Sequence, residues 1–346
     1  MPPQRRIFTQ EEATWARLRT RKPRLPCRVK SLEDWQAWRR AFKRALVKQL
    51  GPDPERVPLR PEVLERTDLG DYVREKVVYD TDAFNSVPAY VLTPKGLKKG
   101  QKLPGLLIAH GHGIGKNPSV GLDLEGSPLE DYQHCMAIRF CRRGYVTISP
   151  DWRGFGERKD PDDFVRVPHR DGCNVAYMAN GYFGFQYLNL HLWDAKRTLD
   201  YLQTRPEVRA DKLGMIGVSF GGTMTTYTSA LDDRIKACVI SCYLSTLAGA
   251  WERKGNYCGA QYMQGLATLG DIPDVACLIA PRPMLAEIGE LDECFTVDDA
   301  MKAYRRVAAC YKAIGKSECC DVDKFPGPHE FSGRKAFDWF DRWLKG

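Results

Sequence analysis

From Asp71 onward the sequence alternates strand-length apolar runs with longer amphipathic ones, and this alternation restricts the fold more than any other feature. LPGLLIAHG, YVTISPDW, KLGMIGVS, IKACVISCYL, PRPMLAEIG and CCDVDKF read as strands. DYQHCMAIRFCRRG, FGFQYLNLHLWDAKRTLDYLQTRPEV, FGGTMTTYTSALDD, TVDDAMKAYRRVAACYKAIG and FSGRKAFDWFDRWLKG read as helices between and after them. A further strand pair, DYVREKVVYDT and SVPAYVLTP, precedes this series and turns near Ala83–Asn85. Buried strands alternating with helices imply an α/β class, with a mostly parallel central sheet, helices on both faces and right-handed crossovers. With 346 residues, the chain can bury a full core without disulfide staples.

Residues 71–346 are therefore expected to form the α/β body, behind an N-terminal helical extension and a Pro-rich linker in 1–70. SLEDWQAWRRAFKRALVKQL, residues 31–50, predicts an amphipathic helix. Ser31 can cap it, with Asp34 at the third helical position, and Gly51-Pro52 stops it. Trp35, Trp38, Phe42, Leu46 and Leu50 recur at helical spacing and form one apolar stripe. The net charge of +8 arises here, because residues 1–50 hold 14 Lys and Arg against 4 Asp and Glu. The rest of the chain is slightly acidic, so the charge predicts a docked helix with a solvated basic face and no nucleic-acid partner. No apolar run approaches the length of a membrane span, and the N-terminus has no secretory h-region. Twelve scattered cysteines without a CxxC pair are expected to be reduced core residues of a cytoplasmic protein, with no metal.

Two long irregular stretches interrupt the alternation, about 153–181 after YVTISPDW and about 245–278 after IKACVISCYL. Both follow carboxyl ends of strands, where α/β sheets bind ligands, so they are expected to roof a pocket. Their aromatic residues, with Trp152 just before the first, suggest an apolar acyl or alcohol pocket lined by Trp152, Tyr182, Phe183, Trp251, Tyr257 and Tyr262.

Gly217-Val218-Ser219-Phe220-Gly221-Gly222 lies where KLGMIGV ends and a helix begins, which is GxSxG in its required strand–turn–helix context. The turn should lift Ser219 Oγ above the sheet. A serine nucleophile needs a base, and the base needs an orienting acid, in the chain order Ser, Asp/Glu, His. His329 alone among six histidines follows Ser219. The acid is expected after PRPMLAEIG, where Glu290, Asp292 and Glu293 compete; Asp292 is preferred over Glu290. Phe220 N–H is the first expected oxyanion donor. The second comes from the loop His110-Gly111-His112-Gly113-Ile114-Gly115, with His112 N–H preferred. That loop lacks both GxGxxG spacing and a P-loop lysine, which argues against nucleotide binding.

HGHG, Asp151-Trp152-Arg153-Gly154-Phe155-Gly156, GVSFGG, Gly289-Glu290-Leu291-Asp292 and Pro328-His329-Glu330-Phe331 together resemble the α/β-hydrolase superfamily, in its dienelactone-hydrolase-like and acetyl-xylan-esterase-like branch. Dienelactone hydrolases proper use a cysteine nucleophile where this chain has Ser219, which favours ordinary carboxylic esters. The expected activity is hydrolysis of small to medium esters through Ser219, His329 and Asp292, without a cofactor. Deacetylation of sugars of the xylan type is the alternative within the class. A serine peptidase and a non-catalytic binding protein are the alternatives outside it. The expected partner is a small-molecule ester, with a homo-oligomer contact as a further role for the basic helix.

Overall fold

The sheet begins at an antiparallel edge. In the computed structural model, which describes residues 6–161, 172–252 and 257–346, β1 (Glu62–Asp68), β2 (Tyr72–Asp82) and β3 (Asn85–Pro94) form a meander. Asp82 closes its second turn by accepting from Phe84 N–H and Asn85 Nδ2. β4 (Leu103–Ala109), β5 (Val146–Pro150), β6 (Val208–Val218), β7 (Ile235–Ser241), β8 (Met284–Gly289) and β9 (Cys320–Phe325) are mutually parallel, and β5 joins them to β3 by an antiparallel register. The order across the sheet is β1-β2-β3-β5-β4-β6-β7-β8-β9. The chain moves outward from β4 to β5 and then returns to place β6 on the other side of β4. This reversal opens a crevice beyond the carboxyl ends of β4 and β6.

The helices are α1 (Gln10–Thr20), α2 (Leu32–Leu50), α3 (Met136–Arg142), α4 (Gly172–Gly181), α5 (Tyr187–Thr204), α6 (Phe220–Leu231), α7 (Leu247–Glu252), α8 (Leu266–Leu269), α9 (Ile272–Cys277), α10 (Val297–Ala313) and α11 (Ala336–Phe340). α2, α5, α6, α9 and α10 contribute to one hydrophobic cluster, and α3 and α11 to a second on the opposite face. β4, β5, β7 and β8 are buried along almost their whole length, and β6 is buried from Leu213 onward, the condition for parallel strands covered on both sides. No helix among the described residues is long and apolar enough to cross a membrane.

Four features depart from the sequence reading. Residues 10–20 form a helix capped by Thr9 Oγ1, whose weak amphipathic pattern gave no signal. β1 lies inside the stretch expected to be a linker; it is exposed and defined by its pairing with β2, so no hydrophobic alternation marks it. α3 starts only at Met136, because His134 and Cys135 adopt positive φ and keep residues 131–135 out of the helix. The two stretches expected to be irregular contain α4 and α7 to α9; their residues 162–171 and 253–256 lie outside the described residues.

α2 docks as its stripe predicts. Ser31 Oγ accepts from Asp34 N–H at the start, Phe42 and Leu46 are fully buried, and Trp35 Nε1 donates to Cys277 O at 3.2 Å. Its basic side chains are not all solvated. Arg39 and Lys43 meet Asp233 at 2.9 and 3.6 Å, and Arg21 of the preceding segment meets Asp271 at 2.5 Å. The basic extension therefore faces acidic groups on the body. Truncation of Phe42 to Ala should lower stability by about 3–5 kcal/mol, the cost of removing a fully buried aromatic ring. The expected result is a lower urea midpoint with an unchanged slope; a midpoint within error of the parent would mean that α2 is not docked.

Candidate active site

β6 hands the chain to α6 through Ser219, whose φ of 61° and ψ of −119° lie in a region that non-glycine residues rarely occupy. The neighbours that permit this turn are glycines for steric reasons. A Cβ on Gly217 would come within 2.4 Å of Gly221 O, and one on Gly221 within 1.9 Å of Ala109 O. Ser219 is nearly buried, and its backbone N–H donates to Ser241 O at 3.0 Å. Phe220 begins α6, so its N–H has no intrahelical acceptor and sits at the positive end of the helix dipole.

β8 and β9 position the other two side chains. Asp292 Oδ1 accepts from Cys294 N–H at 2.7 Å and Phe295 N–H at 2.8 Å, while Oδ2 lies 2.9 Å from His329 Nδ1. A carboxylate only accepts, so Nδ1 carries the proton and Nε2 is left as the basic atom. Two rings stack with the imidazole, Tyr132 at 5.9 Å and Phe295 at 5.8 Å, inclined to it by 29° and 25°. Glu290, the rival acid, instead pairs with Lys324 at 2.5 Å on the surface. Cys242, one residue beyond the carbonyl that holds Ser219, donates its thiol to Glu330 O at 3.3 Å and clusters with Asp292 and His329. Ser241 thus holds the Ser219 N–H, and the next residue, Cys242, holds the Glu330 carbonyl beside His329. Among the described residues no hydrogen bond joins Ser219 Oγ to His329, a contact that commonly tightens only when substrate is present.

The loop after β4 is rigidly braced. His110 is buried; its Nδ1 lies 2.7 Å from Gly111 O, and Nε2 accepts Trp152 N–H at 3.1 Å. Burial lowers its pKa to about 4 and keeps it neutral. Tyr132 Oη donates to His112 O at 2.7 Å, and the His112 ring packs on Phe155 and Phe220. Neither His112 N–H nor Phe220 N–H has an acceptor among the described residues. Farther along, Asp151 accepts from Lys116 N–H at 2.7 Å and from Lys116 Nζ at 2.8 Å, and Lys116 also reaches Glu157. Arg153 is clamped between Asp194 and Asp82, with Arg158 also on Asp194. Burial raises the proton affinity of Asp194, but the two guanidiniums overcome it and hold the carboxyl far below its ordinary range.

The expected pocket residues separate. Trp152 is completely buried and packs beside His110 and His191, so it is core and presents no face to a ligand. Tyr182 and Phe183 are 91 % and 79 % exposed at the turn after α4, where Phe183 lines a cavity of about 490 Å³ with Phe84 and Phe185. Trp251 and Tyr257 are half-buried, and Tyr262 packs edge-on against Tyr177 at 5.5 Å. That contact, with Gly259 N–H donating to Asn174 Oδ1 at 2.8 Å, joins the two insertions. Tyr132, Phe295 and Cys242 were not anticipated. Tyr132 and Cys242 lie in segments without a motif, and Phe295 is recognisable only as the residue whose N–H closes the turn on Asp292.

The parallel sheet, the reversal of strand order and the Ser219 elbow define an α/β-hydrolase. The chain belongs to the abhydrolase family, whose pattern matches residues 5–314. It is 27% identical over 312 residues to YtaP of Bacillus subtilis (strain 168), a hydrolase by name, covering 87% of this chain and 98% of that one. Its fold is similar to that of a Bacteroides fragilis NCTC 9343 protein bearing the name acetyl xylan esterase, with a TM-score of 0.75, 20% identity and coverage of 92% of this chain and 83% of that one. A glucuronoyl esterase from Solibacter usitatus gives a TM-score of 0.62 at 14% identity, covering 94% and 96%. These two likenesses show the fold.

His110 supplies a pH test. Its pKa is lower in the folded chain than the ordinary value near 6.5, so the unfolded chain binds the extra proton and stability falls as pH drops from about 6.5 to about 4. Glu287 acts oppositely, since burial raises its carboxyl to about 7, but it is common to parent and variant. His110→Gln should therefore lose about 2 kcal/mol less stability than the parent between about pH 7 and about pH 5. Urea unfolding at the two pH values measures this, and equal losses would show that His110 is not held neutral.

Proposed function

We propose that this chain is a serine hydrolase of carboxylic esters. The observation that carries the reading is the 2.9 Å Asp292–His329 hydrogen bond, set at the same strand ends as a serine in the strained elbow conformation. Ser219 Oγ attacks the acyl carbon while His329 Nε2 takes its proton. Asp292 keeps Nδ1–H oriented and stabilises the imidazolium that forms. Phe220 and His112 N–H groups receive the charge that develops on the carbonyl oxygen. His329 then returns the proton to the leaving alcohol, and water activated by the same imidazole releases the acid and restores Ser219. None of these steps calls for a cofactor.

The names of the structural neighbours, acetyl xylan esterase and glucuronoyl esterase, support ester over amide substrates and make acetylated sugars the leading specific class. The cytoplasmic setting is proposed from the sequence, whose twelve cysteines are scattered without a CxxC pair. The half-buried Trp251 and Tyr257 are the aromatic candidates retained for the substrate pocket.

Ser219→Ala should reduce kcat on p-nitrophenyl acetate by about 10⁶ and abolish labelling by a fluorophosphonate probe. Asp292→Asn should cost about 10⁴ in kcat, whereas Glu290→Gln should leave turnover within about twofold. Substantial turnover by Ser219→Ala would overturn the nucleophile, and a larger loss from Glu290→Gln than from Asp292→Asn would overturn the acid. A chain-length series of p-nitrophenyl esters beside acetylated sugars and a prolyl amide then reads the substrate class. An optimum at acetate with fast sugar deacetylation identifies a deacetylase, broad ester turnover a general carboxylesterase, and preference for the amide a peptidase.

A further inference from the structure

Three segments bring sulfur and nitrogen donors together beside the loop after β4. His112 comes from that loop, Cys173 from α4 and Cys258 from the stretch after α7. His112 Nε2 lies 3.0 Å from Cys258 Sγ, and one donor atom from each of the three residues lies within 4.8 Å of the others. The proposed ester chemistry uses neither thiol and does not use the imidazole of His112.

The surroundings hold the three donors in place. Tyr132 Oη fixes the His112 carbonyl, while Phe155 and Phe220 pack on the ring at 5.4 and 5.3 Å. Asn174, next to Cys173, binds the N–H of Gly259, next to Cys258, at 2.8 Å. Gly259 itself is required there, since a Cβ would come within 2.4 Å of Tyr177 Cβ and 3.0 Å of Cys173 O. Both cysteines are buried, and His112 is partly buried.

We propose that His112, Cys173 and Cys258 bind one zinc ion in a Cys₂His site, with the fourth position open to water. Two thiolates and one imidazole are a soft donor set that selects zinc over the hard cations magnesium and calcium. A tetrahedral ion with about 2.3 Å to sulfur and about 2.0–2.1 Å to nitrogen separates those atoms by roughly 3.6 Å, so the His112–Cys258 contact has to open only by about half an ångström. Zinc binding releases the thiol protons of both cysteines, so uptake is pH-dependent. Bound metal ties both insertions to the loop that carries the His112 N–H. The site needs only these three side chains and is independent of the ester reading.

Cobalt(II) is the probe, added to the full-length, reduced and metal-stripped chain. The expected result is one tight equivalent with thiolate-to-cobalt charge-transfer absorption, displaced by zinc. Cys173→Ser and Cys258→Ser should each weaken uptake by about 100-fold or more. Cys27→Ser, which alters the separate Cys27, Cys277 and Cys310 cluster, should leave it unchanged. Circular dichroism establishes that each variant is folded, and Cys173→Ala repeats the test if Cys173→Ser is not. Absence of the charge-transfer band in the parent overturns the site, as does its survival in both ligand variants or its loss in Cys27→Ser alone. A reduced chain that takes up no metal and otherwise forms only a Cys173–Cys258 disulfide overturns it too. Ester turnover measured in parallel keeps the two readings apart, because inactive protein with normal cobalt uptake contradicts the nucleophile and leaves the metal site standing.

Discussion

The close crossing of α6 over the end of β4 is the constraint on which the rest of the site depends. Gly221 has no room for a Cβ against Ala109 O, and Gly217 has none against Gly221 O. With that clearance, Ser219 can hold a φ of 61° and stand at the head of a helix whose first N–H, that of Phe220, has no acceptor among the described residues. Such a conformation costs of order 1–3 kcal/mol and persists only where surrounding packing over-determines it. Here the packing is supplied from below, where Phe220 rests on Phe155, His112 and His191.

Buried charge organises the next layer outward. Asp151 binds Lys116 from the loop after β4 and also the N–H of Glu157, so two loops from adjacent strand ends close around one carboxylate. Asp194 on α5 does the same for Arg153 and Arg158, with Asp82 from the β2–β3 turn as a second anion on Arg153. Each charge is paired and hydrogen-bonded, the condition under which burial of ions is tolerated. Removal of one partner would leave an uncompensated charge, so these pairs specify loop position more than they add stability. His110, held neutral and bonded to Trp152 N–H, completes the link between the loops that flank the crevice.

The charge asymmetry of the sequence acquires a structural meaning in the same terms. The excess of Lys and Arg lies in the extension, and part of it meets Asp233 and Asp271 on the body. These contacts are partly exposed and individually weak. The apolar stripe of α2, which sets Phe42 and Leu46 into the core, supplies the main attachment, and the ion pairs orient it.

Elements whose pattern is periodic and whose chemistry is local are legible in the chain of residues. The parallel strands, the α2 stripe with its Ser31 cap, and the GxSxG elbow follow from apolar spacing and from glycine at positions where a side chain cannot fit. The proposed base, His329, is legible from chain order, being the sole histidine after Ser219. The proposed preference for Asp292 over Glu290 needs the fold, because both are acids in one turn and only their contacts differ: Asp292 meets His329 and Glu290 meets Lys324. The fold also made an edge strand of residues 62–68, which carry no hydrophobic alternation and are ordered by pairing with β2. Trp152 proved to be core and Tyr182 solvent-facing, since an aromatic residue is equally suited to a pocket, a core or a turn. The convergence of Tyr132, Phe295 and Cys242 on His329, and of Cys173 and Cys258 on His112, was invisible in one dimension. These residues come from distant segments, and their proximity is a property of the packed sheet ends rather than of any local spacing.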